Sequence, residues 1–276
     1  MNLYNLKFLR VIALPILKKF SFDTMIKHHW VPNTKLKLNT FKHKGYWYHG
    51  KSREYDTMMI FKDLINENNV VVEVGGHIGY ISIFFSHLVG NNGSLVVFEP
   101  GSNNLPYINE NIEYSPFKNH TIKQVAVGQE VGMATFYEDD LTGQNNSLVR
   151  DFDGFKNNSK NSFVEARIQE KTVKVTTLDL EFEDKNVDVI KIDIEGGEWP
   201  AILGAEKLIK TQKPILMVEI QADQNNIFQF MKRYSYIGFN VKKNIITQSD
   251  ELKGNIFWIN KTKHGDLIER IGLKAN

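Results

Sequence analysis

Residues 70–85, VVVEVGGHIGYISIFF, restrict the fold more than any other stretch of this chain. Four valines around a single acid form a run that needs cover on both faces, as strands of a parallel sheet have. The run from Tyr80 onward is apolar at helical spacing and needs cover too. Between them Gly75, Gly76, His77, Ile78 and Gly79 make a tight turn. A buried strand, a glycine turn and a buried helix are the first unit of a doubly wound α/β domain.

The same rhythm continues downstream. The spacing predicts strands over 70–74, 95–98, 121–127, 187–192 and 214–220, with helices over 80–88, 103–113, 200–210 and 225–234 between or after them. Strands that alternate with helices are joined by right-handed crossovers into a parallel sheet. Two last strands near 239–246 and 255–260 have no helix between them and read as an antiparallel hairpin at the sheet edge. Between 128 and 187 the rhythm breaks. Strands over 133–137 and 172–175 flank a long polar loop, DDLTGQNNSLVRDFDGFKNNSKNS, and read as a hairpin-like insertion. Residues 1–52 form an N-terminal extension, with one or two strands in 35–51 followed by a helix over 53–68, and residues 53–276 form the sheet domain.

Composition removes several classes. There is no cysteine among the 276 residues, so disulfides, thiolate nucleophiles and zinc–thiolate sites are excluded, and the chain fits a reducing cytoplasmic compartment. With 34 basic and 32 acidic residues, net charge gives no argument for a nucleic-acid partner. The apolar run 11–17 is too short to span a bilayer. Leu6, Leu9, Ile12, Ala13, Ile16, Leu17 and Phe20 nevertheless recur at helical spacing between Lys7, Arg10, Lys18 and Lys19. That pattern suits either a helix packed on the domain, kinked at Pro15, or a peripheral membrane contact through residues 1–20.

The glycine turn suits an anionic group, because a helix start offers free N–H groups and partial positive charge. A dinucleotide site would carry glycine where His77 stands, and Glu73 would repel a pyrophosphate. Glu73 can instead accept a hydrogen bond from an ammonium group. Glu99, at the end of VVFEP and followed by Pro100, lies where an acid at the second strand tip grips ribose hydroxyls. An amino acid end and a ribose together describe S-adenosylmethionine.

The strand tip in VIKIDIEGGEWPAILGA crowds Asp193, Glu195 and Glu198 into six residues, and Glu219 closes the next strand. Crowded carboxylates raise one another's proton affinity, which makes a general base, or they recruit a hard divalent cation such as magnesium. Lys191 precedes them and neutralises part of the charge. His77 beside the cofactor is a second candidate for taking a substrate proton. Glu198 can equally cap the following helix. Tyr46, Trp47 and Tyr48 are placed in a strand, where they either pack or stack on a sugar ring.

VVVEVGGHIGYIS, VVFEPGSNNLPYINENI, VAVG, TTLD, DVIKIDIEGGEWPAILGAEKLI and PILMVEI together resemble the FkbM-type family of S-adenosylmethionine-dependent methyltransferases. The resemblance runs from about residue 50 to residue 219. It implies a seven-stranded methyltransferase sheet with a reversed terminal hairpin, and O-methylation of a hydroxyl on a sugar, glycolipid or secondary metabolite. By position, Glu73, Gly75 and Gly79 match the family's first cofactor motif, Glu99 its ribose-binding acid, and Asp193 and Glu195 its acidic signature. The family often shows Asp at Glu73 and Ala-Asn at Gly76 and His77. Asn109 and Asn111 match a family helix. A binding module without catalysis and a nicotinamide-dependent dehydrogenase are the rival readings of the same residues.

Overall fold

The computed structural model describes residues 7–150 and 152–274. The chain begins with α1 (Lys7–Lys19), which runs through Pro15 without ending there. An antiparallel pair, β1 (Asp23–Lys27) and β2 (Lys35–Asn39), follows, then α2 (Lys44–His49) and α3 (Tyr55–Leu64). Tyr46, Trp47 and Tyr48 therefore lie on a short helix and not on the strand that their aromatic character suggested.

The core is β3 (Val70–Val74), α4 (Tyr80–Val89), β4 (Ser94–Phe98), α5 (Leu105–Ile112) and β5 (His120–Lys123), all parallel strands joined through helices. The strand expected over 121–127 stops at Lys123. Its last residues, β6 (Ala126–Val127), join a separate small sheet with β7 (Gly132–Asp139) and β8 (Ile168–Thr176). β7 and β8 are the expected antiparallel pair of the insertion. The stretch between them, expected as loop throughout, contains α6 (Asp153–Ser162), a helix with few apolar residues to announce it.

After α7 (Leu178–Glu181) come β9 (Val189–Ile192), α8 (Glu198–Leu203), α9 (Glu206–Gln212), β10 (Ile215–Ile220), α10 (Gln224–Arg233), β11 (Tyr236–Asn240), β12 (Gly254–Asn260) and α11 (Gly265–Arg270). The single helix expected over 200–210 is two, broken at Gly204, where a side chain would run into the Gly128 carbonyl at 2.0 Å. The seven-stranded sheet has the order β11-β12-β10-β9-β3-β4-β5, parallel from β5 to β10, with β12 antiparallel to both of its neighbours, β10 and β11. This is the doubly wound, mostly parallel Rossmann-like sheet with a reversed terminal hairpin that the sequence predicts. The hairpin's first strand begins at Tyr236, three residues earlier than the pattern suggested.

Strand order reverses between β3 and β9, so the crevice beyond their carboxyl ends is the ligand position that this topology creates. Val74 pairs with Ile192 across that point and Val218 pairs with Ile192 on the other side, which aligns Gly75, Asp193 and Glu219 in one row. All four residues of β9 are buried, and β3 is buried from Val71 to Val74. Helices α3, α4 and α5 cover one face of the sheet and α7 to α10 the other, each over its own apolar cluster.

The β1–β2 pair is stitched to the core by one buried amide. Asn111 Nδ2 donates to the Lys37 and Ile78 carbonyls, and its Oδ1 accepts from Lys37 N–H at 2.6 Å. Tyr107 Oη adds a hydrogen bond to Asp23, and His28 reaches the Tyr80 carbonyl. The N-terminal extension is thereby held over the glycine turn.

Candidate functional site

A cavity of about 320 Å³ opens at the switch point. Its floor is the turn after β3, and it touches all the residues singled out beside that turn: Glu73, Gly75, Gly76, His77, Glu99 and Pro100. Gly79 lies just behind, as the left-handed N-cap of α4 with φ of 83°. The glycines were expected to admit a ligand, but the structure gives Gly75 a different reason. A Cβ there would sit 2.0 Å from the Asp193 carbonyl oxygen, and φ is 90°. Glycine lets the two strand-end turns touch.

The polar groups of this first wall are paired within the protein. Glu99 Oε2 accepts from the His77 N–H at 2.7 Å, and its Oε1 accepts from Gly101 N–H and Asn104 Nδ2. Burial nevertheless pushes the Glu99 carboxyl up to about 7, against those hydrogen bonds. Glu73 accepts from Ser82 Oγ at 2.5 Å and lies 3.7 Å from Lys191 Nζ. Burial raises it to about 7 as well, while Lys191 opposes the rise.

His77 corrects an expectation. The Thr142 carbonyl can only accept, so Nε2 carries the proton and donates to it at 3.1 Å. Nδ1 is then the acceptor for Tyr46 Oη at 3.0 Å. Burial lowers the imidazole to about 4, and no ring lone pair is left for a substrate proton. His77 is a brace between the N-terminal extension and the 139–147 loop, and its φ of 49° follows the turn.

The opposite wall has another character. Lys191, 1% exposed, reaches Asp193 Oδ2 at 3.0 Å and the Gly75 carbonyl at 3.3 Å. Burial by itself would raise Asp193, but Lys191 and a hydrogen bond from Glu219 hold it below its ordinary value. Glu219 bears the consequence: the Asp193 charge, followed by burial, pushes it up to about 10, so it is the protonated partner. Burial and then the Asp193 charge push Glu195 up to about 8. Glu195 sits at φ of 58°, a strained conformation for a side-chain-bearing residue, and Ser147 Oγ holds its carbonyl at 2.6 Å. Gln221 Nε2 donates to its Oε2 at 2.6 Å.

Oxygens of Asp193, Glu195 and Glu219 lie within 4.8 Å of one another. The set can hold an oxygen-ligated divalent cation only by releasing the proton between Glu219 and Asp193. Glu198 does not join them: its Oε1 accepts from Gly196 N–H at 2.9 Å at the start of α8.

The 139–147 loop is the lid side of the cavity, and it is tied down. Asn146 accepts from Asp139 N–H and donates to Asn103, and Asn104 donates to the Gly143 carbonyl. Gln144, Asn145, Asn146 and Leu148 line the cavity.

Sequence reasoning missed Arg53, which lines the cavity beside Glu54. Its guanidinium carbon lies 4.4 Å above the Tyr46 ring, its Nη2 is 3.5 Å from Glu54, and its buried Nε has no hydrogen-bond partner. Gly45 leaves room for it, since a Cβ there would meet Nη1 at 2.7 Å. In sequence, Arg53 is one basic residue in a charged stretch before a helix. Only the fold-back of α2 onto the turn reveals it.

Among solved structures, the chain is similar to methyltransferase FkbM from Methylobacillus flagellatus KT, at 16% identity over 70% of this chain and 44% of that one, TM-score 0.45. This chain thus spans less than half the length of that protein. It is also similar to a precorrin-6y C5,15-methyltransferase from Geobacter metallireducens GS-15 (13% identity, 75% of this chain and 85% of that one, TM-score 0.42). A third is Aeropyrum pernix fibrillarin with natively bound S-adenosyl-L-methionine (8% identity, 74% and 73%, TM-score 0.40). No curated protein matches the chain. The model of the methyltransferase FkbM domain matches residues 73–237, more than half of the sequence and both walls of the cavity, and the chain belongs to that family.

Proposed function

We propose that this methyltransferase is S-adenosylmethionine-dependent and methylates a hydroxyl group of a sugar, glycolipid or secondary metabolite, with Glu195 as general base. One observation carries the reading: the cavity joins a turn suited to an amino acid and a ribose to a carboxylate whose proton affinity is raised to about 8. A carboxylate with that affinity is a far better base at neutral pH than an exposed one.

The cofactor supplies an electrophilic methyl group on a sulfonium and leaves as a neutral thioether. The residues present fit it. Arg53, with its unpartnered buried Nε, is the donor for the methionine carboxylate. Glu73 faces the ammonium and Glu99 the ribose hydroxyls. Asp193 and Lys191 fix the second wall, so that Glu195 stands beside the acceptor and takes its hydroxyl proton as the oxygen–carbon bond forms. Alignment of acceptor and methyl group is the larger part of catalysis here, and the tied loop with Gln144 and Asn145 shapes the acceptor's space.

Calorimetry tests the cofactor part. The wild-type chain should bind S-adenosylhomocysteine and not NAD. Arg53→Met should lose affinity for it by about tenfold to a hundredfold, while 5′-methylthioadenosine, which lacks the amino acid, binds both proteins alike. No binding to the wild type ends the reading. Transfer of labelled methyl to a panel of glycans and lipid-linked sugars tests the acceptor. Turnover should survive a chelator, and an absolute magnesium requirement would put a cation in the carboxylate triad instead.

A further inference from the structure

The side of α1 that carries Ile12 and Ile16 has no cover among the described residues. Ile12 and Ile16 are 52% and 54% exposed, Phe20, four residues on, is 67% exposed, and Phe22 is 63% exposed. Spacing of four puts Ile12 and Ile16 in one line along the helix and Phe20 just past its end, with Val11, Ala13 and Pro15 exposed beside them. Residues 1–6 lie outside the described part, so of the apolar stripe read from the sequence Leu6 is not placed.

Charge selects the occupant of this face. Residues 1–22 carry four basic and no acidic side chains, leaving 30 basic and 32 acidic in the rest of the chain. A second copy of the chain is a poor partner, because a two-fold dimer would set one cationic segment against the other. An anionic surface is attracted to the segment that the rest of the protein is not. Large exposed apolar side chains beside the exposed Lys19 suit the headgroup boundary of a bilayer. No helix among the described residues is long and apolar enough to cross one.

We propose that α1 and the Phe20–Phe22 turn form a docking face for an anionic lipid bilayer. The face adjoins the active cavity through α6: α1 packs on α6, and Asn145, in the cavity wall, donates to the Gly154 carbonyl of α6 at 3.2 Å. Docking brings the acceptor side of the cavity to the membrane. That consequence, a membrane-anchored acceptor such as a glycolipid, rests on the methyl-transfer reading; docking itself does not.

The test is co-sedimentation of the full chain with phosphatidylcholine vesicles, with and without a third of phosphatidylglycerol. Wild type should bind the anionic vesicles at least tenfold more tightly than the neutral ones. Ile12→Asp/Ile16→Asp and, separately, Lys19→Glu should each weaken that binding about tenfold or more, with melting curves and S-adenosylhomocysteine affinity unchanged. Equal binding by wild type and both variants, or no binding to anionic vesicles, overturns the proposal. So does a solution dimer that the aspartate variant dissociates, which would make the face a self-interface. Vesicle binding without S-adenosylhomocysteine binding would leave docking standing and remove the methyl-transfer reading.

Discussion

The turns after β3 and β9 touch at Gly75 and Asp193, yet they treat their polar groups in opposite ways. In the first, both His77 nitrogens and both Glu99 oxygens are hydrogen-bonded inside the protein. In the second, Asp193, Glu195 and Glu219 are held against one another with one proton between two of them. A wall with satisfied groups keeps its shape, which on the proposed reading serves binding. On the proposed reading, the carboxylates crowded around Asp193 are the ones placed to take a proton. If that division is right, substitutions in the two turns should separate affinity from turnover.

The largest separation should come from Glu195→Gln. It keeps the size and the Gln221 contact but cannot take a proton, so kcat should fall on the order of 10²- to 10⁴-fold. S-adenosylhomocysteine affinity should stay within a few-fold. The wild-type rate should climb as pH rises through about 8, because only ionised Glu195 accepts the proton and its ionised fraction falls below that value. The variant should lack this limb. An unchanged pH profile in single-turnover measurements would move the base elsewhere.

Gly75→Ala attacks the seam between the walls. The added Cβ meets the Asp193 carbonyl at 2.0 Å in a left-handed conformation, so the turns must part. Unfolding free energy should fall by about 3 kcal/mol or more in denaturant titration. A loss under about 1 kcal/mol would show that the seam yields easily and that the two walls are less coupled than the contact implies.

Much of this was legible in the sequence, for a physical reason. Buried parallel strands are runs of Val and Ile, and an acid at the end of such a run is costly unless it is used, so Glu73, Glu99, Asp193 and Glu219 stood out. The reversed hairpin was legible from the missing helix between its strands. Arg53 was missed and Tyr46 was placed in a strand, because the positions of both depend on the N-terminal extension folding back onto the core, to which Asn111 ties Lys37 across 74 residues. Polar α6 was hidden for the converse reason: its stability comes from neighbours and not from its own pattern.

On the binding wall, Glu99→Gln should be milder than either change above. The amide turns one acceptor oxygen into a donor that faces the N–H of His77 or of Gly101. S-adenosylhomocysteine affinity should weaken by about tenfold, consistent with one lost charged hydrogen bond, with kcat at saturation within about twofold. A large fall in kcat with unchanged affinity would place Glu99 on the reacting side.

His77→Asn is the smallest and the most pointed test. Asparagine tolerates the left-handed backbone at this position, so the turn survives. The shorter side chain leaves the Tyr46 hydroxyl or the Thr142 carbonyl without its partner, which costs about 1–3 kcal/mol of stability. Turnover at saturation should drop only a few-fold, and the limb near pH 8 should stay where it is, because the proton never passes through the ring. A rate loss matching that of Glu195→Gln would mean that the imidazole leaves its two partners when substrate binds. The first turn would then share the reaction with the second.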